Sequence, residues 1–262
     1  MRTRHARKER LMKILTVANQ KGGVGKSTLC VHLACYAREK GLRVLLVDMD
    51  KQGSLSLSFP PVGRACGLVA SQLYCKTDRE PEMLDEGFAI IRADDGLLAI
   101  DKADNEAIRL PGRALRPLGK AFDLCIIDTP PLLGVRLMAS LVAASHVLTP
   151  VSIGIYELAG VGDLLRTIYA VRNQGFNPAL KHIGILPIKT NSRSAEEKAG
   201  LDMLRQRHQG NIFRCVLPER AAVRKAIALR RPVWLATKGQ GHYLAAREWR
   251  AACQEIMERM DK

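Results

Sequence analysis

At 262 residues the chain is long enough to bury the core of one large α/β domain and hardly long enough for two. A formal charge of +15 favours a polyanionic partner, nucleic acid or an acidic membrane surface, without saying which. The seven cysteines, odd in number, widely spaced and free of any C-x-x-C pair, exclude a disulfide framework and a zinc site and fit reduced thiols in a cytoplasmic protein, most of them small core residues.

The chain opens on a basic arm, residues 1–11, carrying Arg2, Arg4, Arg7, Lys8 and Arg10. No apolar segment behind it could serve as a secretory signal, so it reads as an extension, either disordered or contacting DNA, ahead of one domain over residues 12–262. Apolar runs then alternate with helical stretches: KILTVAN, LRVLLVDMD, GLLAID, FDLCIIDTP, SHVLTPV, HIGILPI and FRCVLPE. Such runs predict a doubly wound, mostly parallel sheet with helices on both faces. A helix over Leu29–Lys40, ended by Gly41, follows the first run, and a closing helix over Ala245–Met260 puts Ala245, Trp249, Ala252, Ile256 and Met260 on one face. Leu137–Tyr156 lacks Asp, Glu, Lys and Arg, but its polar residues and Pro150 make it a helix followed by a buried strand, not a membrane span. The pattern over Gln52–Asp94 assigns no elements.

Ligands of a doubly wound sheet lie beyond the carboxyl ends of its strands. The first run leads into ANQKGGVGKSTL, with Gly22, Gly23, Val24 and Gly25 in a turn and a helix starting near Lys26. Such a turn aims backbone N–H groups at phosphate oxygens; Lys26 then reaches the β- and γ-phosphates, Ser27 ligates Mg²⁺ and Thr28 caps the α-phosphate side. The pattern's usual first glycine is Gln20 here, and Lys21 follows it. A second cation is surplus for holding one nucleotide, which points Lys21 at a phosphate held by another subunit. The second run ends in Asp48 and Asp50. Asp50 is placed to orient an attacking water or hold the metal shell, whereas Asp48 serves equally well as a turn cap. The run FDLCIIDTP brings Asp128 to its end as the Mg²⁺ partner, and Thr129, Pro130 and Pro131 form a stiff turn able to respond to the γ-phosphate.

Arg214–Arg250 holds nine Arg or Lys against Glu219 and Glu248. On a helix through it Arg220 and Arg224 lie one turn apart, Arg231 returns to the same side and Lys225 sits beside them, a cationic stripe suited to a polyanion.

As a set these features resemble the ParA/MinD family of ATPases with a deviant Walker A loop, whose K-G-G-x-G-K-[ST]-T hallmark runs from Lys21 to Thr28. The likeness covers most of the chain, through DMDKQ, DTPP, LTPV and LPERAAVRKAIALRRPV. It implies a P-loop fold, ATP and Mg²⁺ as cofactors, and an ATP-dependent homodimer in which Lys21 crosses to the partner's phosphates. Lys26, Ser27, Asp50 and Asp128 map onto family functional positions, and Asn191 lies where base contacts are expected. Lys51 replaces a proline and Arg230 a glycine of many relatives, so the first switch and the late loop are expected to differ in rigidity.

Within the family the chain is most similar to ParA-type partition proteins. That implies a nucleoid-associated cytoplasmic ATPase, weak alone, binding non-specific duplex DNA along the cationic stripe and stimulated by a ParB-type centromere-binding partner. The alternative is a MinD-like membrane-cycling ATPase, which needs a C-terminal amphipathic helix facing lipid, whereas EIMERMDK carries both signs of charge. An iron–sulfur reductase needs a cysteine after the switch that TPPLLGVRLMAS lacks, and a tyrosine kinase needs a terminal tyrosine cluster where this chain has Tyr243 alone.

Overall fold

The computed structural model describes residues 11–61, 67–191 and 193–262; Arg2, Arg4, Arg7, Lys8 and Arg10 of the basic arm, and Cys66, lie outside them. The chain runs β1 (Lys13–Val17), α1 (Lys26–Glu39), β2 (Val44–Asp48), α2 (Ser54–Ser58), β3 (Glu82–Asp85), β4 (Phe88–Ile91), α3 (Leu97–Ile100), α4 (Leu110–Leu115), β5 (Leu124–Asp128), α5 (Val135–Ala143), β6 (His146–Val151), α6 (Ile155–Asn173), β7 (Lys181–Thr190), α7 (Ala195–Arg207), β8 (Leu217–Pro218), α8 (Ala221–Ala228) and α9 (Gln240–Met260). The strands form one sheet in the order β3, β4, β2, β5, β1, β6, β7, β8, parallel throughout except for the β3–β4 pair.

Successive side chains of a strand point to opposite faces, so each apolar run feeds two cores. Ile14, Leu45, Val47, Cys125 and Ile127 pack with Leu115, Leu137, Leu141, Leu164 and Ile168 of α4, α5 and α6. Leu15, Val17, Val44, Leu46, Leu124 and Ile126 pack on the other side with Leu29 and Leu33 of α1, Val223 of α8 and the α9 residues Ala245, Trp249, Ala252, Ile256 and Met260. The α9 face read from the sequence is therefore wholly buried. Helix α1 also ends as expected, with Gly41 at φ 78° receiving the chain where an L side chain would strain. The helix and strand expected in Leu137–Tyr156 are α5 and β6.

Two expected strands differ. GLLAID is not a strand: Asp94 accepts from the Gly96 N–H and from Ser71, which turns the chain into short α3, where Leu97 is buried and Leu98 is exposed. The place beside β2 is taken by β4, from the unassigned region, reached through a tight turn at Gly87 (φ 65°). FRCVLPE keeps only Leu217–Pro218 as strand, because the Glu255 carboxylate takes the N–H groups of Arg214 and Cys215 at 3.1 and 3.0 Å. All six described cysteines are free, with Cys30, Cys125 and Cys253 buried, Cys35 and Cys215 half-buried and Cys75 exposed.

One buried polar residue ties the two halves of the second core together. His32 of α1 lies between Trp249 and Trp234, with ring centroids at 4.1 and 5.4 Å. The Val233 N–H donates to its Nε2 at 3.1 Å, so the proton sits on Nδ1, which donates to the Thr28 carbonyl at 2.7 Å. Burial pushes the ring's pKa from 6.5 down to about 4. Between those values the unfolded chain takes up a proton that the folded chain refuses, so stability is full above the upper value and falls as pH drops towards the lower one. His146 and His182 are lowered to about 4 in the same way, mainly by burial. Each contributes up to about 1.4 kcal/mol per pH unit. The buried carboxyls Asp48 and Asp128, raised to about 6 and about 8, pull the other way over the same range, so the histidine contribution is read as a difference: between about pH 7 and about pH 5 the fall of the denaturant midpoint should be smaller in His32→Gln than in the native chain by the linkage of about one proton.

Candidate nucleotide site

The carboxyl ends of β1, β2 and β5 meet at one edge of the sheet, with Val17 paired to Asp128 and Asp48 paired to Asp128 in register. The loop from β1 to α1 crosses that edge. Gly23 (φ 73°) and Gly25 (φ 94°) take left-handed conformations, and α1 starts at Lys26. Val24 is buried and anchors the turn, while Lys21, Gly22 and Gly23 are exposed on its lip. The turn after β5 lies against it, with Pro131 Cβ 3.9 Å from where a Cβ on Gly22 would be. Thr129 ties that turn to β1 by donating to the Val17 carbonyl at 2.8 Å.

The loop is held open by cations and one amide. Lys26 is buried, and its ammonium donates to the Lys21 carbonyl at 3.2 Å. The Lys21 N–H donates to Asn19 Oδ1 at 2.8 Å, and Asn19 Nδ2 donates to the Pro150 carbonyl at 2.6 Å, which ties the start of the loop to β6. Lys189, at the end of β7, donates to the Gly23 carbonyl at 2.5 Å from a left-handed backbone (φ 57°). A non-glycine residue pays roughly 1–2 kcal/mol for that conformation.

Three aspartates share the edge and differ in their surroundings. Asp48 accepts from Ser56 N and Oγ, both at 2.8 Å, and from the Asp50 N–H at 3.1 Å. That is the work of a turn cap, and burial raises its pKa to about 6. Asp50 is half-buried, and its Oδ1 accepts from the Gln52 N–H at 3.1 Å. Asp128 is fully buried, and neither of its carboxylate oxygens has a hydrogen-bond partner. Burial above all, with Asp48 next, raises its pKa to about 8; the Ser27 hydroxyl lowers it by proximity, without a bond of good geometry, and Lys26 lowers it by charge. Burial in turn lowers the pKa of Lys26, against the pull of Asp128 and Asp50.

An orphaned carboxylate beside a hydroxyl and a glycine-lined loop suits one small hard cation shared with phosphate oxygens. Mg²⁺ is usually held in that way, by one or two protein oxygens plus phosphates and water. Among the described residues no three His, Cys, Asp or Glu gather into a metal centre of another kind.

Beside the loop lies a cavity of about 350 Å³ lined by Gly25, Thr28, Ile188, Lys189, Val223 and Ile227 and mostly apolar. Asn191 does not line it. Its Oδ1 accepts from the Arg193 N–H and its own N–H donates to Glu197. The basic residues lie further along. Helix α8 stops at Ala228, so Arg220 caps its start and Arg231 follows its end instead of continuing a stripe. Arg220, Lys225 and Arg231 line a cleft of about 800 Å³ with Lys238 and His242, whereas Arg224 lines the smaller cavity and pairs with Glu219. Arg220 is held bidentately by Glu248 at 2.6 and 2.5 Å. Arg230 adopts φ 54°, the conformation that a glycine at that position would favour.

The AAA domain family matches residues 12–182. The protein IncC of Escherichia coli is 33% identical over 261 residues, covering 96% of this chain and 70% of the relative. The chain belongs to the ParA/MinD family. The chromosome-partitioning ATPase Soj of Thermus thermophilus is another relative, 34% identical over 217 residues that cover 81% of this chain and 83% of Soj. A cobyrinic acid a,c-diamide synthase from Mycobacterium smegmatis, solved with ADP and magnesium bound, superposes with a TM-score of 0.74 at 28% identity over 96% of each chain. Of these relatives Soj is named for chromosome partitioning, and the architecture shared with the synthase is the mostly parallel P-loop sheet.

Lys189, Asn19 and Arg136 escape the sequence reading. Lys189 follows an apolar run and Asn19 closes one, where strand-end logic could have found them. Arg136 has no such signal: it is buried in α5, donates to the Met49 carbonyl at 2.9 Å between Asp48 and Asp50, and is paired with Asp101. For Asp128, Asn keeps the size and shape of a carboxyl that burial holds largely protonated near neutral pH without nucleotide. Asp128→Asn should be no less stable than the native chain without nucleotide, and should lose the increment from MgADP, about 2.7 kcal/mol at a hundredfold excess over Kd, in thermal-shift measurements.

Proposed function

We propose that this chain, a member of the partition ATPase family, is one P-loop ATPase domain over residues 12–262 that binds ATP and Mg²⁺, dimerises on ATP, holds duplex DNA without sequence preference and is discharged by a centromere-binding partner of the ParB type. The observation that carries this reading is the meeting of the two-lysine phosphate loop with the partnerless Asp128 at one strand edge. Backbone N–H groups of Gly22, Gly23, Val24, Gly25 and Thr28 cradle the phosphates, and Lys26 turns from the Lys21 carbonyl to the β- and γ-phosphates. Ser27 and Asp128 hold Mg²⁺, which supplies charge neutralisation on the phosphate oxygens when bound. Asp50, half-buried and engaged through Oδ1 with the Gln52 N–H, orients the attacking water. Lys21, on the exposed lip, reaches the partner's phosphates. Asn191 contributes to the base end only through a change of the loop it now caps.

The cleft of Arg220, Lys225 and Arg231 is the DNA surface, with Arg224 at its edge. A membrane-cycling role fits less well: Ile256 and Met260, the apolar residues at the end of α9, are buried in the core, and no helix among the described residues is long and apolar enough to cross a membrane. With ATP bound, DNA affinity should exceed that with ADP, and turnover should rise with duplex DNA and not with anionic vesicles. Lys225→Ala and Arg231→Ala should each flatten the slope of log affinity against log salt by about 0.9. Arg220→Ala should cost more, since it leaves the Glu248 carboxylate facing the phosphates. An unchanged slope in all three would place the DNA elsewhere.

For Lys21, the trans reading predicts that Lys21→Ala binds ADP and ATP as a monomer and fails to dimerise. Two charge-assisted contacts per symmetric dimer correspond to about two to four powers of ten in association. Sedimentation at saturating ATP beside a binding titration decides it. Weak nucleotide binding with intact dimerisation would refute the trans role.

A further inference from the structure

Two peptides of the phosphate loop have their carbonyls drawn onto ammonium groups: Lys21 O by Lys26 from within the loop, and Gly23 O by Lys189 from the end of β7. No peptide in the described chain is cis, and in a trans peptide the N–H points opposite to the C=O. Holding the Gly23 carbonyl on one side therefore turns the Val24 N–H to the other. The placement of Lys189 is not accidental to its neighbours. Its left-handed backbone coincides with a shift in the β7–β8 register between Ile188 and Thr190, and its Cε lies 3.8 Å from where a Cβ on Gly25 would be.

We propose that Lys189 is a positioning residue for nucleotide binding: its ammonium, seated on the Gly23 carbonyl, sets the Gly23–Val24 peptide so that the Val24 N–H is presented to the phosphates. It acts through the peptide and adds a third lysine to the loop's field beside Lys21 and Lys26. The chain accepts a strained backbone at Lys189 for this contact. The inference rests on the ATP reading above.

Its test is calorimetric titration of the full chain with MgADP and with MgATP, for the native sequence and for Lys189→Met, Lys189→Gly and Lys189→Arg, alongside the thermal midpoint of each protein without nucleotide. Lys189→Met keeps the stem and loses the charge, whereas Lys189→Gly also relieves the left-handed backbone. Both should lose about tenfold in affinity, the lower end for a charge-assisted hydrogen bond since the group is exposed, and Lys189→Arg should recover most of it. The midpoint of Lys189→Gly should be no lower than native, which separates the affinity loss from damage to the fold. Native affinity in Lys189→Gly would overturn the proposal. So would a loss in Lys189→Met that tracks a fallen midpoint and that Lys189→Arg does not repair. A native chain that binds neither nucleotide would overturn the ATP reading and this proposal together, whereas native binding with unaltered variants would overturn the role of Lys189 alone.

Discussion

Chemistry in this chain is confined to places where strands stop, because a parallel sheet covered on both faces has only its ends in contact with water. Alternate residues of β1, β2 and β5 are spent on two cores, Ile14 to one and Leu15 to the other, and this leaves no interior position for a functional group. The phosphate loop, Asp50 and Asp128 gather at one edge for that reason. They are brought together by register, with Val17, Asp48 and Asp128 level across three adjacent strands, and not by local sequence proximity.

The cost of that edge is electrostatic. Asp128 is fully buried with no hydrogen-bond donor, Asp48 is buried beside it, and Lys26 is buried opposite them. Taking such groups out of water is unfavourable unless they are paired, and here the pairing is incomplete. The two cores supply the surplus stability that lets the edge stay unsatisfied. Arg136 makes the arrangement firmer by holding the Met49 carbonyl, so the peptide between Asp48 and Asp50 is fixed before any ligand arrives.

Much of this was legible from residues alone. Continuous apolar runs marked five of the parallel strands, and the glycine-rich stretch placed the start of α1 near Lys26, since Gly25 and Lys26 obey local backbone rules, although the helical pattern itself was read only from Leu29. The face of α9 followed from helical spacing. What was not legible depends on partners distant in sequence. GLLAID has a strand's composition, but Asp94 and Ser71 turn it into a helix, and the sheet position it was expected to fill went to β4. The cationic stripe was drawn on a longer helix than exists, because nothing in the local sequence announces that Arg230 will leave α8 through a left-handed backbone. Lys189 could be suspected from its place after a strand, but its bond to Gly23 spans 166 positions.

The position of His32 has an optical consequence. The chain has two tryptophans, and both rings lie against this imidazole, Trp249 at 4.1 Å and Trp234 at 5.4 Å. All of the indole emission of the protein thus originates at one joint, where the helix that follows the phosphate loop meets the segment leading from the basic cleft into α9. Arg250 stacks over Trp234 at 4.8 Å and Glu39 accepts from its indole N–H at 2.6 Å, so the local field on that ring is set by charges from both sides of the joint. Without any label, the wavelength and intensity of this light report how firmly the two pieces are seated on each other.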